Sequence, residues 1–368
     1  MLESQTVYAY YDSSEETPGN NIETEHTHVI YDDIQNRYMR KVYPVNRWWV
    51  LHNLLRKVDV RDYDCIHATT LFSDGGIAYR LFRKYHIPYV AAVRATDIWY
   101  MRQHPKLLKS TARQILLHAS KVMLINKVSY SRLSDYAEQI GIWDRIKDKI
   151  LIRPNGVDAY WIDNIYSERR SNVHNVCYIG NFYVRKNVVR LIKAIESLKE
   201  SYPEIALHIV GDGGPDEELV HEMAERDPYI HLHGRIKDKD KIRDILRQNA
   251  IFAMPSSRET FGLVYIEALS QNLRLLYTRN DGIDGLLDNV GEAVEARSVE
   301  SIANGIRRII EHYDEYYDNV DIDFAQFDWK NIAREYMGIY ENAIASEKKE
   351  IVNAQVIMNK QITPPRRE

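Results

Sequence analysis

Short apolar runs alternate with longer amphipathic segments along most of the chain, and in the second half the alternation is nearly regular. Apolar runs at 175–180, 205–211, 230–234, 250–255 and 273–278 predict strands. The amphipathic stretches 188–200, 216–226, 239–248 and 261–270 between them predict helices. These apolar runs are continuous rather than alternating. A strand that is apolar on both faces must be covered on both, so the repetition predicts a parallel sheet with helices on each side. The first half follows the same grammar less cleanly, with strands expected at 65–69, 89–93 and 122–126 and helices at 75–85 and 105–119.

A turn at Pro154-Asn155-Gly156 follows the strand-like Ile150-Leu151-Ile152. The stretch 165–175 is polar and reads as a linker. The expected division is therefore 1–154, 155–327 and 328–368, the last being a helix and a polar tail. Asp328 is placed to cap a helix from 329 to about 346, with Ile332, Tyr336, Ile339 and Tyr340 on one face. Residues 347–368 are charged, contain Pro364-Pro365-Arg366-Arg367 near their end, and are expected to extend the helix and then fray into disorder.

Length and charge narrow the picture. A chain of 368 residues suits two ordinary domains. A net charge of -4 gives no global pull on nucleic acid. Cys65 and Cys177 each lie in an apolar run and read as free thiols in strands, too few for a disulfide framework or a zinc site. No run reaches the roughly 18 apolar residues of a membrane-spanning helix. The N-terminus lacks a basic-then-apolar leader pattern, which makes the cytoplasm the default location.

The segment from Ser257 to Ala268 follows the predicted strand at 250–255. It sits at the carboxyl end of a parallel strand and opens a helix, the place where doubly wound sheets take ligands and where helix amides favour anions. Gly262 lets a phosphate or sugar approach the backbone. Glu259 and Glu267 are eight residues apart, about 12 Å if helical. That is too far for the ~5 Å carboxylate pair of a retaining glycosidase. The two could grip two ends of one long ligand, or they could be a cap and a half-exposed helix residue.

Glu259 and Glu267, with Phe261-Gly262 between them, resemble the E-x7-E signature of retaining family-4 glycosyltransferases of the GT-B fold. Three further segments stand in the expected order. Pro154-Asn155-Gly156-Val157-Asp158 resembles the family's interdomain run. Gly180-Asn181 through Arg185-Lys186-Asn187 resembles its phosphate loop, and Val210-Gly211-Asp212-Gly213 resembles the loop ending its next strand. The match covers about residues 60 to 345.

The resemblance implies two Rossmann-like doubly wound α/β domains facing across a cleft near 154–158. It assigns Glu267 to the nucleotide ribose and Glu259 to the donor sugar near the reacting centre. Phe261, Gly262 and Leu263 match helix-start residues whose amides face the diphosphate and sugar, and Gly180, Asn181 and Gly211 lie in the phosphate-side loops. Lys186 matches the diphosphate lysine, a fixed cation where charge builds on the leaving group; the bland alternative is a surface lysine. Arg235 falls where the base-binding strand ends. Arg94 and Asp97 stand where relatives face the donor from the first domain, with a buried Arg94–Asp97 salt bridge as the structural alternative.

The sequence departs from the family in three places. Asn181 replaces the phosphate arginine, a role Arg185 is placed to take over. Asn187 replaces the glycine after the lysine. The first domain looks short by one strand-helix unit at its N-terminus: 6–11 reads as a strand, but 12–21 leads into no apolar helix, so either the unit is absent or the sequence begins late.

Some patterns carry less. Asp62-Tyr63-Asp64, Asp238-Lys239-Asp240 and Asp321-Ile322-Asp323 fit a D-x-D metal motif, but three such hits among 53 acids are close to chance. The His26/His28 and His231/His233 pairs have no acid or cysteine partners nearby in sequence and are not read as metal sites. The Gly211–Gly214 run is an incomplete dinucleotide fingerprint. Between 102 and 127 lie Arg102, Lys106, Lys109, Arg113, Lys121 and Lys127, interleaved with apolar residues and free of acids. This stretch is either a basic solvated face or a contact with an anionic membrane at the inner face.

The expected function is a metal-independent, cofactor-free retaining glycosyltransferase. Its expected donor is a nucleotide-diphosphate sugar, UDP-sugar first and GDP-sugar second. Its expected acceptor is a glycan or lipid-linked molecule of cell-surface polysaccharide or glycoconjugate synthesis. The alternatives are a degenerate GT-B partner subunit that only binds, and a nucleotide-sugar epimerase.

Overall fold

A computed structural model describes residues 4–14, 24–35 and 43–362. The chain forms two compact units. The first holds the described residues up to 123, 133–151 and those from 333 on; the second holds 124–132 and 152–332. These bounds differ from a simple division at 154 and 327, because the last helix belongs with the first unit and a short segment from the first half belongs with the second.

The second unit is a six-stranded parallel sheet. Its strands are β7 (Asn175–Ile179), β8 (Ala206–Val210), β9 (Ile230–Leu232), β10 (Ile251–Ala253), β11 (Arg274–Thr278) and β12 (Gly291–Val294), in the order β12-β11-β10-β7-β8-β9. All five pairings are parallel. The five predicted apolar runs are five of these strands. β12 was not predicted, since Gly291-Glu292-Ala293-Val294 has no apolar run to mark it. β10 is buried at every position, which is why its sequence never alternates. The helix Val188–Leu198 shows the complementary pattern: Val188, Leu191, Ile192, Ala194, Ile195 and Leu198 are buried, one stripe at helical spacing.

The strand order reverses between β7 and β10. The chain runs outward from β7 through β8 to β9, crosses back, and continues from β10 to β12 on the other side. Loops leaving β7 and β10 therefore diverge, and doubly wound sheets bind ligands at that point. Gly211, just after β8, shows how closely the loops leaving β7 and β8 pass. Its φ is +146°, and a Cβ there would lie 1.9 Å from the Gly180 carbonyl oxygen.

The first unit contains a sheet of order β3-β4-β5-β6, formed by β3 (Ile66–Ala68), β4 (Tyr89–Ala92), β5 (Lys121–Leu124) and β6 (Ile150–Ile152). A separate parallel pair joins β1 (Gln5–Tyr11) and β2 (Thr27–Asp33). The first strand was expected. β2 and the helix Tyr43–Lys57 were not, since Thr27–Asp33 mixes histidine and aspartate with its apolar residues. Residues 15–21 of the stretch expected to lead into no helix lie outside the described residues.

The last helix, Trp329–Ile362, starts where expected, with Asp328 Oδ1 accepting from the Lys330 amide at 2.9 Å. Tyr336, Ile339 and Tyr340 pack on Val90, Ala92 and Met123. His67 on β3 stacks on Tyr336, and its Nδ1 lies 2.6 Å from the Tyr340 hydroxyl. The expected extension past 346 runs to Ile362, and residues 363–368 lie outside the described residues. From 347 to 361 it contains no glycine or proline and is rich in Lys, Glu and Gln, so nothing in the sequence stops it. Among the described residues no helix is long and apolar enough to cross a membrane. Both cysteines are free, Cys177 buried on β7 and Cys65 half-buried just before β3.

Candidate active site

Two loops at the switch point carry the candidate site residues. After β7 the chain passes Gly180 and Asn181, makes a short turn at Val184–Lys186, and enters the helix at Val188. After β10 it runs from Met254 to Gly262 and enters the helix Leu263–Ser270. The loops are laced together. The Ser257 amide donates to the Arg185 carbonyl at 2.6 Å, and Asn187 Nδ2 donates to the Pro255 carbonyl at 2.6 Å. Asn187 has φ +58°. A glycine suits that left-handed position, and asparagine is the residue that tolerates it best otherwise, so this departure from the family pattern preserves the backbone shape.

Lys186 Nζ and Glu259 Oε2 lie 2.5 Å apart, each side chain only 14% exposed. Ser256 Oγ donates to the same carboxylate oxygen at 3.2 Å. Glu259 stands in the loop, four residues before the first helical residue. The eight-step helical spacing between Glu259 and Glu267 therefore does not apply: Gly262, at φ +82°, occupies the cap position and the helix begins at Leu263. A Cβ at 262 would meet the Tyr265 ring at 2.5 Å. Phe261 is buried beside it and Leu263 is exposed.

Arg185 is exposed, and Asn181 offers its backbone oxygen to the Tyr178 hydroxyl at 2.8 Å. Burial pushes the Tyr178 hydroxyl well up, and the Arg185 guanidinium pulls against that shift. Gly180 donates its amide to the Val210 carbonyl, and Gly211 donates to Gly234. Arg235 is exposed just beyond β9.

Glu267 is half-buried on the helix. Burial pushes its carboxyl up to about 7; Lys239 pulls it down and Asp158 pushes it further up. Asp158, from the Pro-Asn-Gly-Val-Asp run, lies 2.5 Å from Lys239 Nζ and is itself held below the ordinary carboxylate range by that contact. Lys239 is thus committed to Asp158.

In the first unit, Asp97 is 3% exposed. Its carboxylate accepts from the amides of Leu71 (3.1 Å), Phe72 (3.2 Å) and Arg94 (2.9 Å). Burial still holds its carboxyl above the ordinary range, with those amides opposing. The expected Arg94–Asp97 alternative is corrected in kind: Asp97 takes the Arg94 backbone amide, while the Arg94 Nε donates to the Thr69 carbonyl at 3.0 Å. Asp97 thus caps the start of the helix Ala95–Gln103, with both oxygens accepting from backbone amides.

Two residues that sequence reasoning missed hold the Glu259 loop. Asp281, 9% exposed, accepts from the amides of Arg258, Glu259 and Gly282. Asn126, 2% exposed, donates to the carbonyls of Thr260 (2.8 Å) and Gly282 (2.7 Å). The available signal was the Asn280-Asp281-Gly282 turn chemistry after a strand; nothing near Asn126 announces its role.

The patterns set aside have local employment. Asp238 caps the helix Lys239–Arg247, Asp240 takes the Tyr160 hydroxyl at 2.7 Å, and Asp323 accepts from the Ala325 amide. His231 and His233 meet His208, whose Nδ1 lies 3.0 Å from His233 Nε2; burial and the neighbouring imidazoles pull His208 down to about 4. Among the described residues, no three His, Cys, Asp or Glu side chains are grouped to hold a metal ion.

The chain has informative relatives. The family model for glycosyl transferases group 1 matches residues 166–321. A probable sucrose-phosphate synthase of Thermosipho melanesiensis is 25% identical over 300 residues, covering 74% of this chain and 69% of that protein. The phosphatidyl-myo-inositol mannosyltransferase of Mycobacterium tuberculosis is 23% identical over 259 residues, 66% of each. Among solved structures, sucrose-phosphate synthase from Thermosynechococcus elongatus superposes with a TM-score of 0.63 at 18% identity, covering 93% of this chain and 89% of that one. HepE from Anabaena, in complex with UDP-glucose, superposes with a TM-score of 0.55 at 15% identity, covering 98% and 100%. With two α/β units and a charged site at the switch point of the second, the chain is a glycosyltransferase with the GT-B fold, and its residues 166–321 are similar to the group 1 glycosyl transferases.

Proposed function

We propose that the second unit binds a nucleotide-diphosphate sugar, most simply a UDP-sugar, and that the sugar passes with retention at its anomeric carbon to a glycan or lipid-linked acceptor. The observation that carries this reading is the Lys186–Glu259 pair, held nearly out of water at the switch point. A leaving diphosphate gains one negative charge as the bond to the sugar breaks, and a poorly hydrated lysine answers it strongly. In this reading the diphosphate draws Lys186 away, which leaves the Glu259 carboxylate to accept from the donor sugar's hydroxyls. Arg185 adds a second cation where Asn181 offers none. The amides after Phe261 and Gly262, at a helix start, suit the same anion, with Gly180 and Gly211 giving it room and Arg235 bordering the base. Asp97 enters as the residue that positions Arg94. The UDP-glucose bound by HepE and the lipid substrate in the mannosyltransferase's name support the donor and acceptor classes.

Glu267 takes the ribose hydroxyls in this reading. Its raised pKa is a cost to the folded state: the folded carboxyl binds its proton more tightly than the unfolded one, so the stability linked to that proton is full below about 4.5 and is lost as pH rises through about 7. A carboxylate kept at such a place is one that a donor of hydrogen bonds can reward.

A second reading concerns a membrane. The consecutive helices Ala95–Gln103 and Pro105–His118 expose Trp99, Tyr100 and Leu107, at 49%, 47% and 76%. Arg102, Lys106 and Lys109 are exposed on the same helices, and no acid occurs from 98 to 134. The stretch 102–127 is not one continuous basic face: Arg113 donates to the Ile140 carbonyl and Lys121 to the Asp148 carbonyl. The reading therefore narrows to the first three cations and the exposed aromatic pair, a composition suited to an anionic lipid surface.

Glu267→Gln raises the unfolding temperature more at pH 8 than at pH 5; a gain of equal size at both would contradict the proton linkage. Glu267→Ala weakens binding of the nucleoside diphosphate by about 1.5–3 kcal/mol, measured by calorimetry. Lys186→Ala and Arg185→Ala each lower turnover by about 10²-fold or more; the unfolding temperature stays near that of the parent for the exposed Arg185 and falls for Lys186→Ala, which leaves Glu259 without its partner. Wild-type turnover in Arg185→Ala removes that residue from the diphosphate site. In co-sedimentation, the chain pellets with phosphatidylglycerol vesicles at low salt and not with phosphatidylcholine vesicles; equal binding to both, or to neither, leaves a water-soluble acceptor.

A further inference from the structure

Asp281 follows β11 in a turn, nine-tenths buried, and none of its hydrogen bonds is to a side chain that would bind a ligand. One carboxylate oxygen, Oδ2, accepts from the Glu259 amide at 3.1 Å and from the Arg258 amide; the other, Oδ1, accepts from its own neighbour Gly282 at 3.1 Å. Gly282 in turn donates to the Glu259 carbonyl at 3.2 Å. The residue before Glu259 needs this support. Arg258 has φ +62°, a left-handed conformation that costs any residue with a Cβ. On the far side of Glu259, Asn126 fixes the Thr260 carbonyl. Arg132 completes the frame: its Nη2 donates to the Asn280 carbonyl at 2.9 Å, and its charge favours the ionised Asp281 that burial disfavours. The backbone that carries Glu259 is thus held from the amide side by one buried carboxylate and from the carbonyl side by one buried amide group.

We propose that Asp281 is a positioning residue for glycosyl transfer, acting through Glu259. It fixes the turn at 258–259 so that the Glu259 carboxylate faces Lys186 and the donor sugar, and it touches neither. Two amides converge on a single oxygen of Asp281, so a side chain with one acceptor at that position keeps part of the hold, and alanine keeps none. The proposal rests on the reading of Glu259 as the group that contacts the reacting sugar.

The test is a double-mutant cycle on the full chain with a UDP-sugar donor, reading kcat, donor KM and unfolding temperature. Asp281→Ala lowers kcat by about 10-fold or more, the range typical of a residue that orients a reacting group, with donor KM within about 2-fold. Asp281→Asn, which keeps an oxygen for the Arg258 and Glu259 amides, loses less. In the Glu259→Ala background the Asp281 substitutions cost no further turnover, because the group they position is gone. Adding Arg258→Gly to Asp281→Ala restores part of the turnover, since glycine adopts the left-handed turn without support. The proposal is overturned if neither Asp281 variant loses turnover, or if the loss has the same size with and without Glu259. If Asp281→Ala does not fold, Asp281→Asn carries the cycle alone. Wild-type kcat in Glu259→Ala sinks the functional reading itself, an outcome separate from a Glu259 that matters and an Asp281 that does not couple to it.

Discussion

The site depends on one ion pair. Lys186 and Glu259 come from loops that follow different strands, and each is 14% exposed. Bringing two charges so far out of water costs several kcal/mol per ion, which their attraction offsets only with good geometry. The geometry is supplied by the sheet: β7 and β10 are neighbours only because the chain crosses over after β9. Once adjacent, their loops are tied by the Ser257–Arg185 backbone bond and the Asn187–Pro255 bond. As a source of stability such a pair is weak. Its value lies in the same desolvation, which leaves a cation and a carboxylate strongly responsive to the charge and hydroxyls of a ligand.

The rest of the charge pattern follows a similar logic of unequal partners. Burial raises Glu267 to about 7, and Lys239, held by Asp158 at 2.5 Å, offsets that only in part. Asp281 and Asp97 are the opposite case. Both are buried, both spend their oxygens on backbone amides, and both shape a turn beside a residue assigned to the ligand. The molecule thus uses carboxylates in two ways: Asp281 and Asp97 spend their oxygens on backbone amides, whereas Glu259 places one oxygen against the Lys186 and Ser256 side chains.

Much of this was legible in the sequence because parallel strands are buried on both faces and announce themselves as unbroken apolar runs. Five of the six strands of the second unit and the switch-point motif were read that way. The gaps have physical causes. β12 lies at the sheet edge, where Gly291 and Glu292 are tolerated, and β2 carries polar residues that no apolar run reveals. The helical spacing of Glu259 and Glu267 failed because Gly262 delays the helix start, and periodicity cannot locate a cap that precisely. Asn126 was invisible for a different reason. Its partners lie 134 and 156 residues away in the chain, so only the folded arrangement brings it to them.

The most direct measurement is the unfolding temperature of the full chain titrated with UDP-, GDP- and ADP-sugars. A ligand that binds only the folded state raises that temperature in a saturable way, by RT ln(1 + [L]/Kd) in free energy. The account predicts such a rise for one nucleotide class, UDP-sugars first. No rise with any of the three at millimolar concentration would contradict it.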